Sequence, residues 1–168
     1  MFKKLALLLL SLVAIACYAA STALPPPNTA VIKHQISQMQ TAGMIIMQQG
    51  DRLTIIIPTD QYFEPMSTRV KGAKQKELKK MAMFVKKFAS QYPLSVIKVT
   101  GYTDEVYNLR SQLELSQSYA GVISSYLFDA GIHQNRIATE GRGSSEPIAE
   151  PSSPNRAALN RRVVIQVN

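Results

Sequence analysis

The chain has 168 residues, 19 Lys and Arg against 11 Asp and Glu, a formal charge of +8, and one cysteine. That length holds about one domain with a single sizeable core, and a lone cysteine excludes an internal disulfide framework. The basic balance suits anionic surfaces, whereas nucleic acid is not expected as a partner because no aromatic–basic recognition motif accompanies the charge.

Lys3 and Lys4 precede an apolar run from Leu5 to Ile15 that is too short to span a bilayer, which predicts an export signal over residues 1–16. Ala14-Ile15-Ala16-Cys17 then resembles a bacterial lipobox, in which Cys17 becomes a lipidated N-terminus after cleavage. An ordinary secretory signal with a cysteine inside its apolar stretch is the alternative. Tyr18, not Asp, follows the cysteine; by resemblance to lipoprotein sorting, this implies anchoring in the inner leaflet of the outer membrane, facing the periplasm. Cleavage removes two lysines and lowers the charge from +8 to +6. Residues 17–42 are expected to hold the lipidated cysteine, a Pro-rich tether and a short helix, and residues 43–168 the folded domain. The tether, with Pro25-Pro26-Pro27, favours extended polyproline II and reaches roughly 35–40 Å at ~3.3–3.6 Å per residue.

The helix is predicted over Thr29 to Thr41, with Ile32, Ile36 and Met39 at helical spacing. Its stripe docks on the domain or on a partner. Gly43 to Gln48 and Arg52 to Ile57 are apolar, β-branched runs joined by Gln49-Gly50-Asp51, a hairpin signal. Three consecutive isoleucines, Ile55 to Ile57, predict a strand covered on both faces, which Pro58 ends. Ala73 to Ser90 reads as a helix with Leu78, Met81, Val85 and Phe88 on one face and Lys74, Lys76, Lys79, Lys80, Lys86 and Lys87 on the others. Those lysines form either a solvated face or an electrostatic docking surface. A strand follows over Ser95 to Thr100. A second helix is expected from Ser116, as N-cap, to Ala130, with Gly131 at its end. Ile137-Ala138-Thr139 is a short strand, Gly141 to Pro154 a long loop, and Val163 to Val167 the closing strand. The order implies an α+β sandwich, two helices packed on one face of a mixed sheet.

Gly101-Tyr102-Thr103-Asp104 lifts an acid off a strand end, where a lone Asp is most often a turn residue. Asn160-Arg161-Arg162 leads into the closing strand. These motifs stand in order with Pro58-Thr59-Asp60-Gln61-Tyr62-Phe63, Leu115-Ser116, Gly131-Ile132, Gly141-Arg142-Gly143 and Pro147-Ile148. Together they resemble the C-terminal domain of OmpA-like proteins, over roughly Ile45 to Val167. The resemblance implies a two-layer OmpA-like fold and a non-catalytic role, binding the diaminopimelate stem peptide of peptidoglycan. By resemblance, Asp104 with Thr103 receives the ammonium, Arg161 or Arg162 beside Asn160 holds a carboxylate, and Phe63 is an apolar wall. An Arg fork suits a carboxylate because it pairs bidentately.

The chain departs from that pattern in places. The family has an Arg fifteen positions after the Asp, on the first turn of the second helix as predicted; here it is Tyr119. Gln112 stands for the family Asn, and Tyr107 for a Gly. Losing a charge-assisted pair costs about 1.5–3 kcal/mol, roughly ten- to a hundredfold in affinity. A short lipoprotein with such an altered pocket also resembles the lipoprotein subunits of type IVB secretion systems, which would make other envelope or secretion-system subunits its partners. No cofactor and no metal is expected: His34 and His133 fit no ligand spacing.

Overall fold

The computed structural model describes residues 29–65, 67–105, 108–150 and 154–168. The signal over 1–16, Cys17 and the tether fall outside them. The chain divides into two units, Met1–Ile32 and Lys33–Asn168.

Helix α1 (Thr29–Thr41) precedes a hairpin of β1 (Ile45–Gln49) and β2 (Arg52–Pro58). The short α2 (Thr59–Tyr62) follows at once, and then α3 (Gly72–Ala89), β3 (Ile97–Tyr102) and α4 (Leu109–Asp129). The chain closes with β4 (Ile137–Gly141), α5 (Pro154–Asn160) and β5 (Arg162–Val167). The five strands form one mixed sheet in the order β1-β2-β5-β3-β4, parallel only between β3 and β4. This is the α+β sandwich with an N-terminal hairpin that the sequence implies.

Strand register explains where the core sits. Leu53, Val167, Ile97 and Ile137 lie side by side across four strands. Ile46, Ile55, Ile165, Val99 and Thr139 form the next row. A third row runs Ile57, Val163, Gly101 and Gly141. Because side chains alternate along a strand, these rows share one face, and apart from the β4 members their residues are buried. Leu78, Met81, Val85 and Phe88 of α3 and Ala120, Ile123 and Leu127 of α4 complete the core.

The third row ends in two glycines for a steric reason. A Cβ on Gly101 would lie 2.0 Å from the Ser116 carbonyl oxygen, and one on Gly141 would lie 2.3 Å from the Gln117 amide nitrogen. Helix α4 therefore rests backbone to backbone on the ends of β3 and β4, and any side chain there would lift it. Further along, Ser124 Oγ and Thr139 Oγ1 tie the same helix to β4 at 2.7 Å.

Two expectations are corrected. The isoleucine run in β2 is covered on one face only: Ile55 and Ile57 are fully buried, while Ile56 is half-buried. Ile56 lies between Ile45 and Val164 on the opposite face, so its apolar neighbours are cross-strand partners. The second helix starts seven residues before Ser116, where Asn108 caps it by accepting from the Ser111 amide at 3.0 Å. Ser116 is buried inside the helix and returns its hydroxyl to the Leu113 carbonyl. Helix α5, in the approach to β5, is an element that the sequence pattern does not predict.

Ile55→Ala is expected to lower stability by about 2–5 kcal/mol through lost burial and a residual cavity. Ile56→Ala should cost less, about 1–2 kcal/mol. Thermal melts of the two variants check this; an equal loss would mean that the outer face is covered after all.

Candidate functional site

The last rung of the sheet is Pro58–Arg162–Tyr102, across β2, β5 and β3. Beyond it two chains leave the sheet and one enters. Asp60 lies two residues past Pro58, Asp104 two past Tyr102, and Arg161 one before Arg162. Since β5 sits between β2 and β3, Arg161 is delivered between the two acids. Its Nε donates to Asp60 Oδ1 at 2.9 Å and its Nη2 to Asp60 Oδ2, a bidentate grip, while Nη1 donates to Asp104 Oδ2. Asp104 has 3% of its side chain exposed, Arg161 30% and Asp60 47%. Asp60 foremost, and then Asp104, hold the guanidinium protonated more firmly than usual, against the opposing effect of partial burial.

This triad borders a cleft of about 430 Å³, also lined by Thr59, Phe63, Glu64, Thr103, Leu115 and Tyr119. The Phe63 and Tyr119 rings meet at 4.7 Å with a 58° tilt and make an apolar wall. Among the described residues the buried Thr103 hydroxyl has no hydrogen-bond partner, and a buried polar atom left so costs free energy. Three carboxylates, of Asp60, Glu64 and Asp104, face one guanidinium, so the lining is net acidic and favours a cation. With Arg161 held between Asp60 and Asp104, the lining nonetheless presents both signs of charge.

Of the residues singled out in the sequence, Phe63, Thr103, Asp104, Tyr119 and Arg161 line the cleft, and Gln112, Asn160 and Arg162 do not. Arg162 is buried beneath the Tyr102 ring at 3.9 Å and donates to the carbonyls of Glu146 and Asn160. Burial lowers its pKa from the ordinary value. Successive residues entering a strand point to opposite faces, so only one of the two arginines faces the cleft. Asn160 clamps the preceding loop: its Oδ1 accepts from the Ile148 and Ala149 amides, and its Nδ2 donates to the Ala149 carbonyl. Gln112 accepts from the Ser144 hydroxyl at 2.7 Å. These three fix the loop beside the cleft. Tyr119 stands in the third turn of α4, since the helix begins at Leu109, so the helix N-terminus does not supply the positive end expected for that position. Asp60 is the site residue that sequence reasoning misses, although it stands past its strand end just as Asp104 does.

A two-layer α+β domain built on this five-stranded mixed sheet is the architecture of an OmpA-like domain. The chain belongs to the OmpA family, which its residues 62–161 match. It is 32% identical over 131 residues to the probable lipoprotein YiaD of Escherichia coli, a match covering 78% of this chain and 58% of that one. It is 38% identical over 76 residues to the peptidoglycan-binding protein ArfA of Mycobacterium tuberculosis, covering 45% of this chain and 23% of the relative. The chain thus spans little more than half of the first relative and about a quarter of the second. Among solved structures, the cell wall anchor of the T6SS from Pseudomonas aeruginosa superposes with a TM-score of 0.67 at 26% identity, covering 81% of this chain and 95% of that one.

Arg161→Ala is expected to destabilise the fold by about 1–3 kcal/mol, because it strips the buried Asp104 carboxylate of its partner. Adding Asp104→Asn to that variant should recover part of the loss in a chemical-denaturation series. A double variant no more stable than Arg161→Ala alone would mean that Asp104 is not held by this pair.

Proposed function

We propose that the protein is a non-catalytic outer-membrane lipoprotein whose OmpA-like domain binds peptidoglycan stem peptide and so links the membrane to the cell wall. The observation that carries this reading is the Asp60–Arg161–Asp104 cleft, which offers both charges to a zwitterionic diaminopimelate end while Thr103 offers an unused hydroxyl. Family membership and the likeness to the peptidoglycan-binding protein ArfA and to the secretion-system cell wall anchor support it. In this reading Asp104 and Asp60 take the ammonium, Arg161 the carboxylate, and Phe63 with Tyr119 the aliphatic part. Gln112, Asn160 and Arg162 hold the loop that shapes the cleft. Cys17, after loss of residues 1–16, carries the acyl chains in the inner leaflet of the outer membrane, and the Pro-rich tether and short helix that follow, up to residue 42, space the domain from it.

Tyr119 favours a second reading. Where the family has an Arg, the cleft has a phenol that brings no charge, so stem-peptide affinity is reduced. The chain is then a structural subunit of an envelope-spanning assembly, such as a type IVB secretion complex, that reuses the fold.

Retention on purified peptidoglycan sacculi separates the two. Under the first reading the parent chain binds and Asp104→Ala weakens it by about tenfold or more. Tyr119→Arg should raise retention, since a second fork faces the cleft. Sacculi that retain neither the parent nor Tyr119→Arg would overturn the cell-wall reading and leave the assembly reading. The anchor is tested apart from the cleft: Cys17→Ser should release the protein from the outer-membrane fraction, because acyl chains supply ~0.8 kcal/mol per buried CH₂. A Cys17→Ser chain that still fractionates there would place the attachment elsewhere.

A further inference from the structure

Helix α3 carries a surface that the cleft does not use. At about 100° per residue, Lys76, Lys79, Lys80, Met83 and Lys87 fall within roughly a 100° arc, opposite the buried face of Leu78, Val85 and Ala89. These four lysines are exposed and, among the described residues, form no ion pair. The helix's other two lysines differ. Lys74 is tied to Glu77 and lies over the Tyr62 ring, and Lys86 extends its Nζ over Gly131 at the C-terminal end of α4. The only acid on α3 is Glu77, which is taken up by Lys74 and Tyr62. A charge of +4 therefore stands along about 16 Å of helix with nothing opposing it on the same element.

A solvated face would explain the lysines but not Met83. This thioether is 66% exposed at the centre of the arc. Met83 and Lys80 also line a groove of about 580 Å³ between α1 and α3, with Met39 and Phe84 in its wall. Gln35 lines it too, and among the described residues its buried Oε1 has no donor. Cations arranged around an exposed thioether are complementary to an anionic amphiphile, phosphate to the lysines and hydrocarbon to Met83. An acidic polypeptide would satisfy the lysines and leave the thioether unused.

We propose that the α3 face is a docking surface for an anionic phospholipid bilayer, with Lys76, Lys79, Lys80 and Lys87 on the headgroup phosphates and Met83 entering the acyl boundary. None of these residues lines the Asp104 cleft, so the two surfaces share no side chain. Each lysine brought near an anionic surface strengthens binding by roughly fivefold, an effect that salt screens.

The chain contains no tryptophan, so Met83→Trp creates a single local reporter. The test uses the full chain with Cys17→Ser and Met83→Trp, titrated with phosphatidylcholine vesicles that contain or lack phosphatidylglycerol and carry brominated acyl chains. The expected result is blue-shifted, bromine-quenched emission with phosphatidylglycerol vesicles only, reversed by added salt. Changing all four lysines to Glu should weaken it by roughly a hundredfold or more. Circular-dichroism melts check that this variant folds, and the corresponding Lys→Gln set replaces it if it does not. Binding through the apolar N-terminal residues alone would sediment the chain but leave the emission of the indole reporter unmoved, and would overturn the proposal. So would an equal response to both vesicle types, or a response to soluble polyglutamate with none to vesicles.

Discussion

The cleft depends on one piece of topology, the insertion of β5 between β2 and β3. Each neighbour exits the sheet beside the point where β5 enters, so an acid just past either exit is presented to a base just before β5 begins. Arg161 consequently has Asp60 on one side and Asp104 on the other. The bidentate contact goes to the more exposed acid and the single contact to the buried one. Asp60 is thus a partly hydrated partner of the guanidinium and Asp104 a desolvated one.

What holds this end of the sheet in shape is polar and lies behind the cleft. Ser116 donates to its own helix and accepts from the Gly143 amide. The Gly143 carbonyl in turn accepts from the Thr103 amide at 2.8 Å, next to Asp104. Tyr102 bonds Glu146, whose carbonyl accepts from Arg162, while the Arg162 guanidinium stacks on the Tyr102 ring. Burial first, and then the bond to Glu146, raises the Tyr102 pKa, so the phenol stays a donor to that carboxylate. A shift of the loop after β4 is therefore felt at Thr103 within two hydrogen bonds.

The sequence made the sheet legible where apolar, β-branched runs stood between turn residues, as in β2, β3 and β5, and the α3 stripe where apolar residues kept helical spacing. It misplaced the start of α4 because Leu109 and Leu113, in the first two turns, are exposed and break the stripe. Helix α5 is too short to show a period. Whether three consecutive isoleucines mean two covers or one depends on what lies across the sheet, which local pattern does not encode. Asp104 and the arginine pair were visible as strand-end residues. That Asp60 joins them follows from non-local strand order, and that Arg161 rather than Arg162 faces the cleft follows from a register that one residue's slip would invert.

The same insertion has a consequence for how the molecule is made. The central strand is the last of the five in chain order, and β2 waits for a partner more than a hundred residues downstream. Until β5 arrives, the hairpin and the β3–β4 pair are separate halves with apolar faces and no shared edge. The closing contacts are of high sequence separation, which makes folding slow. A chain built this way cannot close its sheet until its final strand is available, so any chain shortened before β5 leaves both halves with unpaired inner edges.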